Sequence, residues 1–202
     1  MIVIVDYGLG NLASVKNMLK KIGFESKISR DRNLILNASL IILPGVGSYD
    51  HGVRNLHKYN LIEPLNTFVL DYKKPAIGIC LGMQLMCKSS EEGKLKGLSW
   101  FDTEVIKFNF PDNKIKIPHM GWTHIVSDDK ILFNSFGEKR FYFVHSYYVK
   151  YEKDNSLATS QYGDIIFSSA IKKANLIGFQ FHPEKSHKYG MTLLTNILNQ
   201  FV

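Results

Sequence analysis

The chain opens on an unbroken apolar run, Met1-Ile2-Val3-Ile4-Val5, and comparable runs recur at residues 40–43 and 76–79. Runs this short, without polar alternation, predict strands buried on both faces of a parallel sheet. After the first run, Leu12, Val15, Leu19 and Ile22 recur at helical spacing, and Gly23 stands where a helix C-terminus favours glycine. This alternation of strand and helix predicts an α/β fold with functional loops at the C-terminal ends of its strands. From about residue 101 the rhythm changes. Strand candidates at 105–108, 141–151, 165–169 and 176–181 follow one another with turn-rich segments between them. They predict an antiparallel or mixed half packed on the same core. Tyr189, Leu193, Leu194, Ile197, Leu198 and Phe201 mark one face of a closing amphipathic helix. The expected architecture is three-layered: a mostly parallel central sheet flanked by helices, with an added antiparallel or mixed region, forming a single domain over residues 1–202.

Composition narrows the function classes. A chain of 202 residues with 45% hydrophobic and 12% aromatic content can bury a full core, which excludes a disordered protein. No run approaches the roughly 18 apolar residues that a membrane span requires. The N-terminus reaches Asp6 at once with no basic leader, so it reads as a first strand and not a signal peptide. Cys80 and Cys87 lie seven residues apart in one predicted strand–helix unit, a spacing that fits neither a disulfide nor a metal site. The expectation is a cytoplasmic chain with reduced thiols, no metal and no cofactor. The net charge of +7 comes from scattered pairs such as Lys20-Lys21, Lys73-Lys74 and Lys172-Lys173. Nucleic-acid footprints cluster on one face, so no nucleic-acid partner is expected. The charge reads as a solvated surface, or as attraction for an anionic substrate or an acidic partner face.

Gly78-Ile79-Cys80-Leu81-Gly82 carries the first chemistry. A nucleophile on a sharp strand-to-helix turn needs small residues two positions to either side, and both glycines are present. At a helix start the dipole and free N–H groups favour a thiolate. By itself the pentapeptide reads equally as a small buried cysteine in a glycine-rich turn. Cys87 is expected on the apolar face of the following helix, in the core.

A cysteine nucleophile needs a base, and the base an orienting group. Of seven histidines, His182 stands out: Phe179-Gln180-Phe181-His182-Pro183-Glu184 ends an apolar strand and sets a carboxylate two residues on. Positions i and i+2 of an extended segment project to the same side, so Glu184 could orient the His182 ring toward Cys80. His-Pro-Glu alone reads as a strand-ending turn; joined to the elbow it reads as a triad. Pro44-Gly45-Val46-Gly47-Ser48 follows another buried strand, and its glycines allow backbone amides to approach a substrate closely. Its other readings are a plain turn or a phosphate loop. A nucleotide P-loop lacks support, because no Lys-Ser/Thr follows.

These motifs, with Asp6-Tyr7-Gly8-Leu9-Gly10-Asn11-Leu12, Glu91-Glu92-Gly93, Pro118-His119-Met120-Gly121-Trp122 and Tyr142-Phe143-Val144-His145-Ser146-Tyr147, span essentially the whole chain. In that order they resemble the class I (triad) glutamine amidotransferases. The resemblance implies a flavodoxin-like core and glutamine as the small-molecule substrate. It implies Cys80 as nucleophile, His182 as general base then acid, and Glu184 as its orienting carboxylate. It further implies backbone oxyanion donors at Gly45, Val46, Gly47 and Leu81, and a glutamine-binding set of Gly82, Gln84, Glu92, Ser146 and Tyr147. The implied partner is a (β/α)8 cyclase of histidine biosynthesis, held in a heterodimer through His119, Met120, Gly121, Trp122, Tyr142 and Lys185 and supplied with ammonia. Two segments depart from that pattern. Thr123 stands where histidine-pathway members usually carry Asn, and residues 186–191 look closer to paralogues that supply ammonia for amidating a surface-glycan sugar. A stand-alone cysteine hydrolase and a non-catalytic regulatory module are the remaining alternatives.

Overall fold

The computed structural model describes residues 1–111, 115–133 and 139–201. In its first part, strands and helices alternate: β1 (Ile2–Val5), α1 (Leu12–Lys21), β2 (Ser26–Ser29), α2 (Arg32–Asn37), β3 (Leu40–Gly45), α3 (Tyr49–Lys58), α4 (Ile62–Asn66), β4 (Ala76–Cys80) and α5 (Leu81–Leu85). Asn11 caps α1 by accepting from the Ser14 N–H, and Asp31 caps α2 by accepting from the Leu34 N–H. The strands then dominate: β5 (Cys87–Ser90), β6 (Phe101–Lys107), β7 (His119–His124), the short α6 (Lys130–Phe133), β8 (Arg140–His145), β9 (Tyr147–Lys150), β10 (Ser156–Tyr162), β11 (Ile165–Lys173) and β12 (Leu176–Phe179), closed by α7 (His187–Phe201).

The main sheet runs β2-β1-β3-β4-β12-β11-β9-β6-β5, with β10 paired to β11 off this path. The first five strands are mutually parallel. Their order is the flavodoxin-like 2-1-3-4-5, with β12 as the fifth strand. From β12 onward the pairings of β11, β9 and β6 are antiparallel, which is the expected mixed half. β7 and β8 form a separate two-stranded antiparallel sheet. Successive strand residues feed opposite layers. Ile2, Ile4, Leu40, Ile42, Ile77 and Ile79 pack with α1 and α7 on one face; Val3, Val5, Ile41 and Leu43 pack with α2 and α3 on the other. That two-sided burial is why these strands read as unbroken apolar runs.

The sequence pattern misjudged several elements. The stretch 141–151 is not one strand. β8 buries Phe141, Phe143 and His145, the alternation loses phase at Ser146, and β9 pairs in the other sheet with β6 and β11. β2, α2, α3, α4, β5, β7, α6 and β10 lie beyond the elements that the pattern predicts. The helix after Cys80 is only five residues long, so Cys87 lies in β5 and not on a helix, although it is fully buried as expected.

Gly82 sits where α5 crosses β3, and a methyl group there would overlap the backbone carbonyl of Leu43. A central strand cannot recoil from this. Gly82→Ala is therefore expected to cost roughly 2–3 kcal/mol, read as a lowered urea midpoint.

Candidate active site

β4 delivers Cys80 to the C-terminal edge of the sheet in a positive-φ conformation, φ 52° and ψ −110°. Side chains other than glycine rarely tolerate this region, and such strain concentrates at functional sites. The turn is tight enough that a methyl on Gly78 would lie 2.7 Å from the Met83 nitrogen. Both elbow glycines are thus required by close backbone approach.

β12 runs parallel to β4, with Phe179 opposite Ile79, and so carries the next segment to the same edge. His182 Nδ1 lies 2.8 Å from Glu184 Oε1, with both side chains almost wholly buried. The carboxylate accepts, so Nδ1 carries the hydrogen, and Nε2, buried without a hydrogen-bond partner, is the nitrogen left for the thiol. Burial by itself would lower the affinity of His182 for a proton. The Cys80 thiol and the Glu184 carboxylate outweigh it and raise His182 well above the usual histidine range. The loop is locked by Ser186, which donates to the His182 carbonyl at 2.6 Å and accepts from the Tyr142 N–H at 3.0 Å.

Cys80 opens on a cavity of about 310 Å3 lined by Val46, Gly47, Leu81, Gln84, Glu92, Pro118 and residues 144–147. That volume suits a ligand of amino-acid size. β3 ends in register with the nucleophile, Gly45 opposite Cys80. Val46 and Gly47 continue along the rim, Gly47 with φ 119°. Glu92 accepts from the Tyr49 N–H at 2.8 Å, and its loop hangs on Asp50, which accepts from Lys94 and Leu95 N–H. Burial chiefly raises the Glu92 carboxyl above the ordinary carboxylate value, opposed by the Tyr49 N–H and assisted by Asp50. Gln84 donates both amide hydrogens, to the Tyr147 carbonyl and to Gln180 Oε1, each at 3.0 Å. What it can offer a ligand is therefore its carbonyl oxygen. Gly82 lies buried beneath the elbow, while Ser146 and Tyr147 are half-buried at the cavity wall.

Of the expected partner-facing residues, Met120 and Trp122 are exposed on β7, with Gly121 between them. His187 stacks on Trp122, Tyr142 meets it edge-on, and the Lys185 ammonium lies over the Tyr142 ring. His119 does not belong with them. It is 2% exposed because alternation along β7 turns it inward. There it joins a buried relay: His145 Nδ1 to the Tyr147 carbonyl (2.8 Å), His145 Nε2 to His119 Nδ1 (2.9 Å), and His119 Nε2 to Thr123 Oγ1 (2.7 Å). A carbonyl only accepts, which makes His145 Nδ1 a donor. Nε2 of neutral His145 then accepts from His119, and His119 Nε2 accepts from the Thr123 hydroxyl. Burial holds both rings neutral, lowering His119 to about 4 and His145 to about 3.

This relay has a consequence for stability. Both folded values lie below the ordinary histidine value near 6.5, so the unfolded chain takes up protons first as the pH falls. Their contribution is complete above that value and drains away as the pH drops toward 4 and 3. His182, raised in the fold, has the opposite sign. The urea midpoint is expected to fall between pH 6.5 and 4.5, with a shallower slope in the His119→Gln/His145→Gln double variant.

Sequence reasoning missed Asp50, Ser186 and Gln180. Only Gln180 left a signal, as a polar residue inside the apolar run that precedes His182.

A thiol at a strained elbow with a carboxylate-oriented imidazole beside it is equipment for acyl transfer from an amide or ester carbonyl, here on a flavodoxin-like sheet. The family model for class-I glutamine amidotransferases matches residues 3–201, and the chain belongs to that family. It is 51% identical over 203 residues to "Imidazole glycerol phosphate synthase subunit HisH 2" of Methanococcus maripaludis, covering 99% of this chain and 100% of the relative. It is 45% identical over 201 residues to a protein of the same name from Pseudomonas aeruginosa, covering 98% of each. A crystal structure of a glutamine amidotransferase superposes with a TM-score of 0.76 at 17% identity, covering 98% of each chain. A structure of PurLQS from Thermotoga maritima does so at 0.71 and 18%, covering 100% of this chain and 98% of the other. At those identities the structural likeness bears on the fold alone. Among the described residues no helix is long and apolar enough to cross a membrane.

Proposed function

We propose that this chain is the glutamine-hydrolysing subunit of an imidazole glycerol phosphate synthase, acting as a single domain that passes ammonia to a (β/α)8 cyclase partner in histidine biosynthesis. The observation that carries the reading is the Cys80 thiol, backed by the His182–Glu184 pair and opening on a cavity of amino-acid size. Full-length identity to relatives bearing that name supplies the pathway.

The Cys80 thiolate attacks the side-chain amide carbon of glutamine, and the C–N bond breaks as His182 protonates the leaving ammonia. A glutamyl thioester remains on Cys80. His182 then takes a proton from water, whose oxygen attacks the thioester and releases glutamate. The oxyanion formed in both steps is held by backbone N–H groups of Leu81 and of the Gly45-Val46-Gly47 segment; losing one such donor costs about 3 kcal/mol of barrier. The Gln84 carbonyl and the Glu92 carboxylate, both acceptors, take the α-ammonium of the substrate beside Ser146 and Tyr147. The exposed Met120 and Trp122, with Gly121, Tyr142 and Lys185, form the partner face. The glycines let the oxyanion segment turn, so the partner can set its activity.

Thr123 favours a second reading, in which the ammonia goes to a sugar-amidating partner. Its hydroxyl is committed to His119 on the strand that bears Trp122. Purified chain is mixed with each candidate synthase, and glutamate release is followed with and without that partner's acceptor substrate. Marked stimulation by the cyclase of histidine biosynthesis is expected. Equal rates with and without any partner overturn the dependent-subunit reading, and stimulation only by a sugar-amidating synthase selects the second.

A further inference from the structure

Gln180 follows β12 and is wholly buried, two residues before His182. Its amide orientation follows from its neighbours. The Tyr147 carbonyl can only accept, so Nε2 of Gln84 faces it, and the same nitrogen reaches the side-chain oxygen of Gln180 at 3.0 Å. Gln180 is thereby obliged to present its own Nε2 to the opposite side, where it lies 3.7 Å from the Cys80 sulfur. A neutral amide donor aimed at a thiol gains little, since thiol sulfur is a weak acceptor. Aimed at a thiolate it makes a charge-assisted bond, roughly twice as strong.

We infer that Gln180 is a further catalytic residue: an amide donor to the Cys80 thiolate that complements His182, held in its working orientation by Gln84. The inference rests on the reading of Cys80 as nucleophile. A donor on a thiolate makes it less basic as well as more abundant. With a Brønsted coefficient of about 0.4–0.5, a tenfold gain in thiolate costs only about threefold in intrinsic reactivity, so the balance favours catalysis. The geometry also joins the nucleophile to the substrate wall, because the Gln84 that orients Gln180 lines the cavity. A burial site chosen for packing alone would not hold two amides in a fixed donor direction ending on sulfur.

Two substitutions separate this role from a structural one. Gln180→Glu keeps an oxygen for the Gln84 amide and loses the donor toward sulfur; Gln180→Met removes both and adds no charge. Alkylation of Cys80 by iodoacetamide at pH 7 is measured by mass spectrometry on the intact chain, where the fully buried Cys87 serves as an internal reference. Alongside it, kcat and KM for glutamine are measured with the synthase partner, and the thermal melt checks folding. Alkylation and kcat are expected to fall about tenfold or more in both variants, with KM for glutamine within threefold of native in Gln180→Glu. Alkylation within twofold of native in a folded variant overturns the inference, as does a rise in KM with kcat intact, which marks a residue that only holds Gln84. If the buried carboxylate unfolds the chain, Gln180→Met decides. A native chain that alkylates readily at Cys80 yet hydrolyses no glutamine with any partner defeats the glutaminase reading and leaves the Gln180 test standing.

Discussion

Replacing Cys80 with alanine is expected to lower glutamine turnover by about a millionfold, the scale seen when a covalent nucleophile is removed from an enzyme of this kind. The fold should survive. Alanine removes a single sulfur atom from the buried side chain, and the strain resides in the backbone at φ 52°. Cys80→Gly goes further, because glycine populates that region freely. It is expected to raise the unfolding free energy by about 1 kcal/mol while abolishing activity. Opposite signs in turnover and in urea midpoint would locate the strain at the nucleophile, as expected of a site maintained for chemistry. Inactivation with an equal loss of stability would point to a structural cysteine.

The second large effect is expected at Glu184. Its Oε1 lies 2.8 Å from His182 Nδ1 inside a site where the two side chains are 1% and 3% exposed, so water does not screen the pair. Glu184→Gln keeps the shape and removes the charge. The amide can turn its NH2 toward Nδ1, which forces the hydrogen to Nε2 and leaves no base for the thiol. A fall in kcat of about a thousandfold to ten-thousandfold is expected, with KM for glutamine nearly unchanged. The affinity of His182 for its proton should also drop, since Glu184 is one of the two groups that raise it. An NMR titration of the His182 ring in native chain and variant checks this independently of turnover.

The parallel core was legible because burial on both faces leaves no choice but apolar residues, so β1, β3 and β4 stand out as runs. The elbow was legible because two glycines are forced by backbone contact, and His-Pro-Glu because a carboxylate stands two residues from the histidine; the contact is made across a 3-10 turn at Pro183–Lys185, not along the extended segment that the spacing suggests. The antiparallel half was harder. β8 and β9 abut with a single residue between them, and only the phase slip at Ser146 separates them; in sequence both are aromatic-rich and continuous. β2 is half-exposed, with Ser26, Lys27 and Ser29 among its four residues, and offers no hydrophobic signal. His119 lies in the segment that the resemblance sets on the partner face, yet alternation along β7 sends it inward to His145. Asp50 acts on the distant backbone of Lys94 and Leu95, and Ser186 joins the His182 carbonyl to the distant Tyr142 N–H, so no local pattern announces them.

Cys80 is expected to carry a glutamyl thioester during hydrolysis. Chain and synthase partner are incubated with carbon-labelled glutamine, quenched in acid during turnover, digested and examined by mass spectrometry. The glutamyl label is expected on the peptide containing Cys80 and is lost in Cys80→Ala. Steady release of labelled glutamate from a chain in which Cys80 never carries label would contradict it.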